Sequence, residues 1–72
     1  MEKEVLLKKL GERIRKIRKE KGITQVQLAH SMNKDQQSIQ RLEAGNVNPT
    51  IYYLYEIAIG LDTSVNTLIE IS

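Results

Sequence analysis

Between Thr24 and Gly45 the chain signals the start of a helix twice and the end of a helix twice, with about three residues between the two segments. Thr24-Gln-Val-Gln27 is a capping box, in which a hydroxyl cap is answered three residues later by an amide. Asn33 tolerates the left-handed conformation that ends the first of these helices. Asp35 caps the second, and Gly45 ends it. Each helix is short, and each carries apolar residues on one side: Val26, Leu28, Ala29 and Met32 on the first, Ile39 and Leu42 on the second. Helices of this length gain little from propensity alone and are held by burying that side against the rest of the chain.

The flanking sequence supplies the partners. Leu6, Leu7, Leu10, Ile14 and Ile17 form one stripe at helical spacing, which predicts a helix over roughly residues 4–20, stopped by Gly22 after Lys19 and Lys21. After the loop Asn-Val-Asn-Pro at 46–49, Thr50 caps a fourth helix bearing Ile51, Leu54, Tyr55, Ile57, Ala58 and Leu61. Ser64 caps a fifth with Val65, Leu68, Ile69 and Ile71. There is no strand pattern, internal repeat or linker. The expected fold is all-α: a single domain over residues 1–72, five short helices around one small core, with a helix-turn-helix unit at its centre.

A chain of 72 residues buries only about 60 % of its unfolded surface, so its stability is modest. With no cysteine, disulfides and thiolate metal sites are excluded, which fits a reducing, cytoplasmic setting. No apolar run suits a membrane span and no signal peptide opens the chain. The charge is unevenly placed. All eleven Lys and Arg lie in residues 1–41, and against the six acids up to residue 45 they leave that part at +5. Residues 46–72 hold three acids and no base, a charge of −3. One part of the molecule suits a polyanion and the other does not.

Every glutamine lies between Gln25 and Gln40. At about 100° per residue, Gln36, Gln37, Gln40, Arg41 and Ala44 share a sector of about 140°. Ile39 and Leu42 lie opposite, with Glu43 at the inward edge. Burial of the apolar pair therefore turns the amides and the guanidinium outward together. A glutamine amide matches the N6 and N7 edge of adenine, and an arginine fork matches O6 and N7 of guanine. A helix presenting both fits the major groove of duplex DNA.

These residues also carry a family resemblance. "RIRKIRKEKGITQVQLA", "SIQRLEAG", "NPT" with "LYEIA", and "SVNTLI" resemble the successive helices of the phage repressor and Cro family of helix-turn-helix DNA-binding proteins, from about Leu10 to Ile69. "QQSI" is similar to the lambdoid repressors, in which such a glutamine pair reads bases. The resemblance implies a lambda-repressor-like domain. Gln36, Gln37 and Arg41 would meet base edges, with Gln40 at a base or phosphate. Thr24 and Gln25 would lie against a backbone phosphate, with Gln25 also supporting Gln36. Lys34 replaces an apolar turn residue and would reach a phosphate, and Asn46 would lie near the other strand's backbone. Arg18 and Glu43 match a structural ion pair, which makes Glu43 structural rather than catalytic. Ala44 stands where relatives carry a polar DNA contact.

Several other residues invite weaker readings. His30 has no companion ligands and is read as an exposed residue rather than a metal ligand. Helical spacing directs Tyr55 to the core and leaves Tyr52 and Tyr53 on the surface. Tyr52, Ile59 and Ile71 are candidates for a self-association surface. Val5 falls off the stripe of the first helix. No nucleophile–base pair, carboxylate dyad or phosphate loop points to an enzyme, and no cofactor is expected. The leading expectation is a sequence-specific regulator, a repressor, that binds double-stranded DNA as a homodimer on a palindromic operator. The alternative is an antitoxin or other protein-partner module for which DNA binding is secondary.

Overall fold

The computed structural model describes residues 1–71. Five helices follow in order: α1 Lys3–Glu20, α2 Gln25–Ser31, α3 Gln36–Glu43, α4 Ile51–Gly60 and α5 Val65–Leu68. Four of them start as the sequence signals. Thr24 Oγ1 accepts from the Gln27 backbone N–H, and Gln27 Oε1 accepts in turn from the Thr24 N–H, completing the capping box. Asp35, Thr50 and Ser64 each accept a backbone N–H three residues on. The turns that follow the helices use the left-handed region at Gly22, Asn33 and Gly45, with φ of 70°, 57° and 82°. After α4 the same role falls to Asp62, at φ 52°, a type that enters this region more readily than most side chains.

The core takes Leu10, Ile14 and Ile17 from α1, Leu28 and Ala29 from α2, and Ile39 and Leu42 from α3. Leu54, Ile57, Ala58 and Leu61 fill the side opposite, and Leu68 closes the end. Met32 is buried as well, at the residue that caps α2. Side chains such as Ile39, with no exposed surface, each contribute about 1.5–3 kcal/mol on leaving water.

The apolar stripes are narrower than the sequence suggests. Leu6 at the start of α1, Val26 on α2, Ile51 on α4 and Ile69 after α5 are all exposed. Tyr55 is 55 % exposed rather than directed into the core, whereas Tyr53 is the tyrosine packed against it. The exchange follows from the face that α4 buries: Leu54, Ile57 and Ala58 define it, with Leu61 continuing it just past the helix end, Tyr53 borders it, and Tyr55 lies beyond it. The fifth helix ends at Leu68, so Ile69 and Ile71 follow it rather than belong to it. No helix among the described residues is long and apolar enough to cross a membrane.

Candidate nucleic-acid interface

α3 is oriented by its apolar pair. Ile39 and Leu42 are 0 % and 1 % exposed, and this forces Gln36, Gln37, Gln40 and Arg41 into solvent along the other side. Ala44 and Asn46 are exposed beyond them, and the Asn46 backbone N–H closes the end of α3 on the Arg41 carbonyl. The outward orientation of the four long polar side chains is thus as the helical spacing requires.

The base of this surface is a buried ion pair. Arg18 on α1 and Glu43 on α3 are 6 % and 7 % exposed. The guanidinium donates from Nε to Glu43 Oε2 at 2.6 Å and from Nη2 to Oε1 at 3.0 Å. Its remaining arm, Nη1, donates to the Ile23 carbonyl at 2.8 Å. A fork-on-fork pair of this kind fixes geometry as well as charge. It ties α1, the turn before α2 and α3 into one frame. Among the described residues no buried side-chain polar atom lacks a partner.

From this frame a chain of hydrogen bonds leads outward. Gln25, at the first turn of α2, donates from Nε2 to Glu43 Oε1 at 3.0 Å. Its own Oε1 accepts from Gln36 Nε2 at 3.3 Å. Gln25 therefore meets Gln36, as the family resemblance implies. It also meets the buried carboxylate, a contact that the sequence did not reveal.

Arg15 is a further residue missed in the sequence. It is exposed on α1 one turn before Arg18 and lines two depressions, one with Lys19, Thr24, Gln25 and Gln36, the other with Gln25, Gln40 and Ala44. The signal was present in the spacing. A residue three before an inward-facing arginine shares its side of the helix, at that helix's solvent margin. Lys34 lies in the turn between α2 and α3 with its Nζ 5.2 Å from the centre of the Tyr53 ring, a cation–π contact. Burial, with the Glu56 charge next in effect, pushes the Tyr53 phenol up from its ordinary 10.0. The backbone N–H and then the hydroxyl of Ser38 hold the Asp35 carboxyl below its ordinary 3.8, helped by the nearby charges of Arg41 and Lys34.

The possible self-association residues do not form one group. Tyr52 and Ile59 line a shallow apolar depression with Tyr55 and Met32. Ile71 is half-buried elsewhere, in a cleft formed with Lys9, Glu12, Arg13 and Lys16 of α1. Its distance from the α4 face follows from α5, which turns the chain back toward α1; there Arg13 Nε donates to the Thr67 carbonyl.

Comparison with known proteins places this geometry. A helix-turn-helix family model matches residues 14–68. The chain is 39 % identical over 57 residues to the uncharacterized HTH-type transcriptional regulator y4dJ of Sinorhizobium fredii, covering 79 % of this chain and 74 % of that one. It is 35 % identical over 60 residues to the immunity repressor protein of Bacillus phage phi105, covering 83 % of this chain and 42 % of that one. Among solved structures it superposes on the restriction-modification controller protein C.Esp1396I, a tetramer in complex with its natural 35 base-pair operator, with a TM-score of 0.81 and 42 % identity over 90 % of this chain and 86 % of that one. The chain belongs to the helix-turn-helix family of DNA-binding transcriptional regulators.

Proposed function

We propose that residues 1–72 act as one DNA-binding unit that represses transcription as a homodimer on a palindromic operator. The observation that carries the reading is the burial of Ile39 and Leu42, which leaves Gln36, Gln37, Gln40 and Arg41 exposed along one side of α3. In this reading α3 enters the major groove while α2 crosses the backbone. Gln36, Gln37, Gln40 and Arg41 meet base edges. Thr24, Gln25, Lys34 and Asn46, joined by Arg15, meet phosphates. The basic residues supply affinity through counterion release and the α3 side chains supply selectivity. Action is by binding, with no catalytic step, and in the cytoplasm.

A second copy is the proposed occupant of the α4 face. Tyr52, Tyr55 and Ile59 are exposed there, in the half of the sequence that holds acids and no bases, so this face suits a protein better than a polyanion. C.Esp1396I, a tetramer on its operator, supports assembly on DNA as the working state.

The test is selection of bound sequences from random duplex DNA, followed by titration of the selected site. Gln36→Ala should weaken specific binding by about 1–3 kcal/mol while leaving binding to unrelated duplex nearly unchanged. Equal losses on both duplexes would refute the assignment of Gln36 to the bases.

A further inference from the structure

We propose that the buried Glu43 carboxylate dictates which end of the Gln36 amide faces the DNA, and thereby makes the position that Gln36 reads select adenine over guanine. This rests on the reading of Gln36 as a base-contacting residue and adds to it the origin of the choice.

The inference follows from donor and acceptor polarity along the hydrogen-bonded chain. A carboxylate only accepts. Glu43 is held in place by two bonds from Arg18, which only donates. Gln25 must therefore turn its NH2 group to Glu43, and this leaves its carbonyl oxygen facing Gln36. That oxygen accepts from Gln36 Nε2; with the Gln36 amide reversed, two carbonyl oxygens would confront each other. One N–H of Gln36 is consumed by the tether. One N–H and the carbonyl oxygen remain for DNA.

Those two groups match the major-groove edge of adenine, whose N7 accepts and whose N6 donates. Guanine offers acceptors at both N7 and O6, and its O6 would meet the outward carbonyl of Gln36. A glutamine free to rotate could instead present its NH2 group to guanine. Gln37 is such a glutamine. It is exposed and makes no side-chain hydrogen bond among the described residues. The two adjacent amides thus differ: one arrives with its polarity set from the core, the other settles it on contact. Glu43 touches no base in this scheme and is a positioning residue.

The experiment compares selected operator sequences for the wild type, Gln36→Ala, Gln25→Met and Glu43→Gln, each confirmed as folded by its thermal transition. Gln36→Ala identifies the operator position that Gln36 reads. Gln25→Met keeps length and helix propensity but carries no polarity. It should lower the adenine-over-guanine preference at that position by about tenfold, leaving the Gln37 position as sharp as in the wild type. Glu43→Gln can offer its NH2 group to Gln25, which reverses both glutamines, and should shift the same position toward guanine. Because it also weakens the contact with Arg18, Gln25→Met is the deciding variant should Glu43→Gln fail to fold. If Gln36→Ala flattens a position at which Gln25→Met still prefers adenine as strongly as the wild type, the polarity scheme is wrong while base reading stands. If Gln36→Ala flattens no position, base reading itself is wrong. A loss in Gln25→Met spread evenly over all positions would mean that Gln25 serves only affinity, and would also overturn the proposal.

Discussion

Gly11 lies in the middle of α1, where a glycine weakens a helix, and it is buried. A Cβ built there would come within 2.5 Å of the Glu43 carbonyl oxygen and 2.6 Å of that of Leu42, both backbone atoms at the end of α3. The absence of a side chain lets α3 lie directly on α1, about two turns before the point where Arg18 pairs with Glu43. Gly11→Ala should therefore destabilise the fold. Helix propensity favours alanine by about 1 kcal/mol, while forcing two backbones apart costs about 3 kcal/mol, for a net loss of about 2 kcal/mol measurable in a urea titration. An unchanged or higher midpoint would mean that α3 shifts freely, and that its register on α1 is not fixed here. This close approach was illegible in the sequence. Periodicity tells which side of a helix is apolar but not how near the next backbone comes. The ion pair was legible, because Glu43 fell at the inward edge of α3 and the family resemblance supplied Arg18 as its partner. Its link to Gln25 joins residues 18 apart on different helices, beyond the reach of any spacing rule.

At the scale of elements, the short helices are defined more clearly by their caps than by their apolar residues. α3 has only Ile39 and Leu42 as apolar side chains, and two residues sufficed to orient it because everything else on it is polar. α4 presents the opposite case. From Ile51 to Ile59 all its residues but Glu56 are apolar or aromatic, so spacing does not single out one stripe, and it directs Tyr55 inward although Tyr53 is the tyrosine that packs there. The Asp35 cap makes α3 sensitive to acid. Its carboxylate accepts from the Ser38 N–H at 2.9 Å and from the Ser38 hydroxyl at 2.8 Å, and its folded pKa is lowered from 3.8. A lowered folded value means that the stabilisation is fully present above 3.8 and fades as pH falls through the folded value. Asp35→Asn keeps a cap but removes the titration. The difference in melting temperature between wild type and Asp35→Asn should be constant near neutral pH and shrink on acidification below 3.8. Curves that stay parallel down to acid would show that the charge contributes nothing to the cap.

The whole molecule, 31 Å by 21 Å by 21 Å, is smaller than the spacing of about 34 Å that separates successive major-groove faces. One copy can therefore present α3 to one groove only. A palindromic operator needs two, held with both α3 helices toward the same side of the duplex. The charge distribution sorts the surfaces accordingly: Arg15, Lys19 and Arg41 lie with the exposed amides, while the α4 depression of Tyr52, Tyr55 and Ile59 is flanked by Glu56. A symmetric contact brings each residue near its own copy or that of a neighbour, so one introduced charge acts twice. Ile59 is 61 % exposed in the single chain, and Ile59→Glu should leave its stability within about 0.5 kcal/mol of the wild type. In the proposed dimer the same change would place two carboxylates in an apolar seam beside Glu56. Sedimentation should show Ile59→Glu as a monomer at concentrations at which the wild type is dimeric. Binding to a single half-site should be unaltered, and affinity for the full operator should fall because the second half-site is no longer engaged at high effective concentration. A variant that sediments as the wild type does would remove α4 from the dimer contact. The two copies would then have to meet through another surface, and Ile71, the one apolar side chain in the charged cleft against α1, is the next candidate contact.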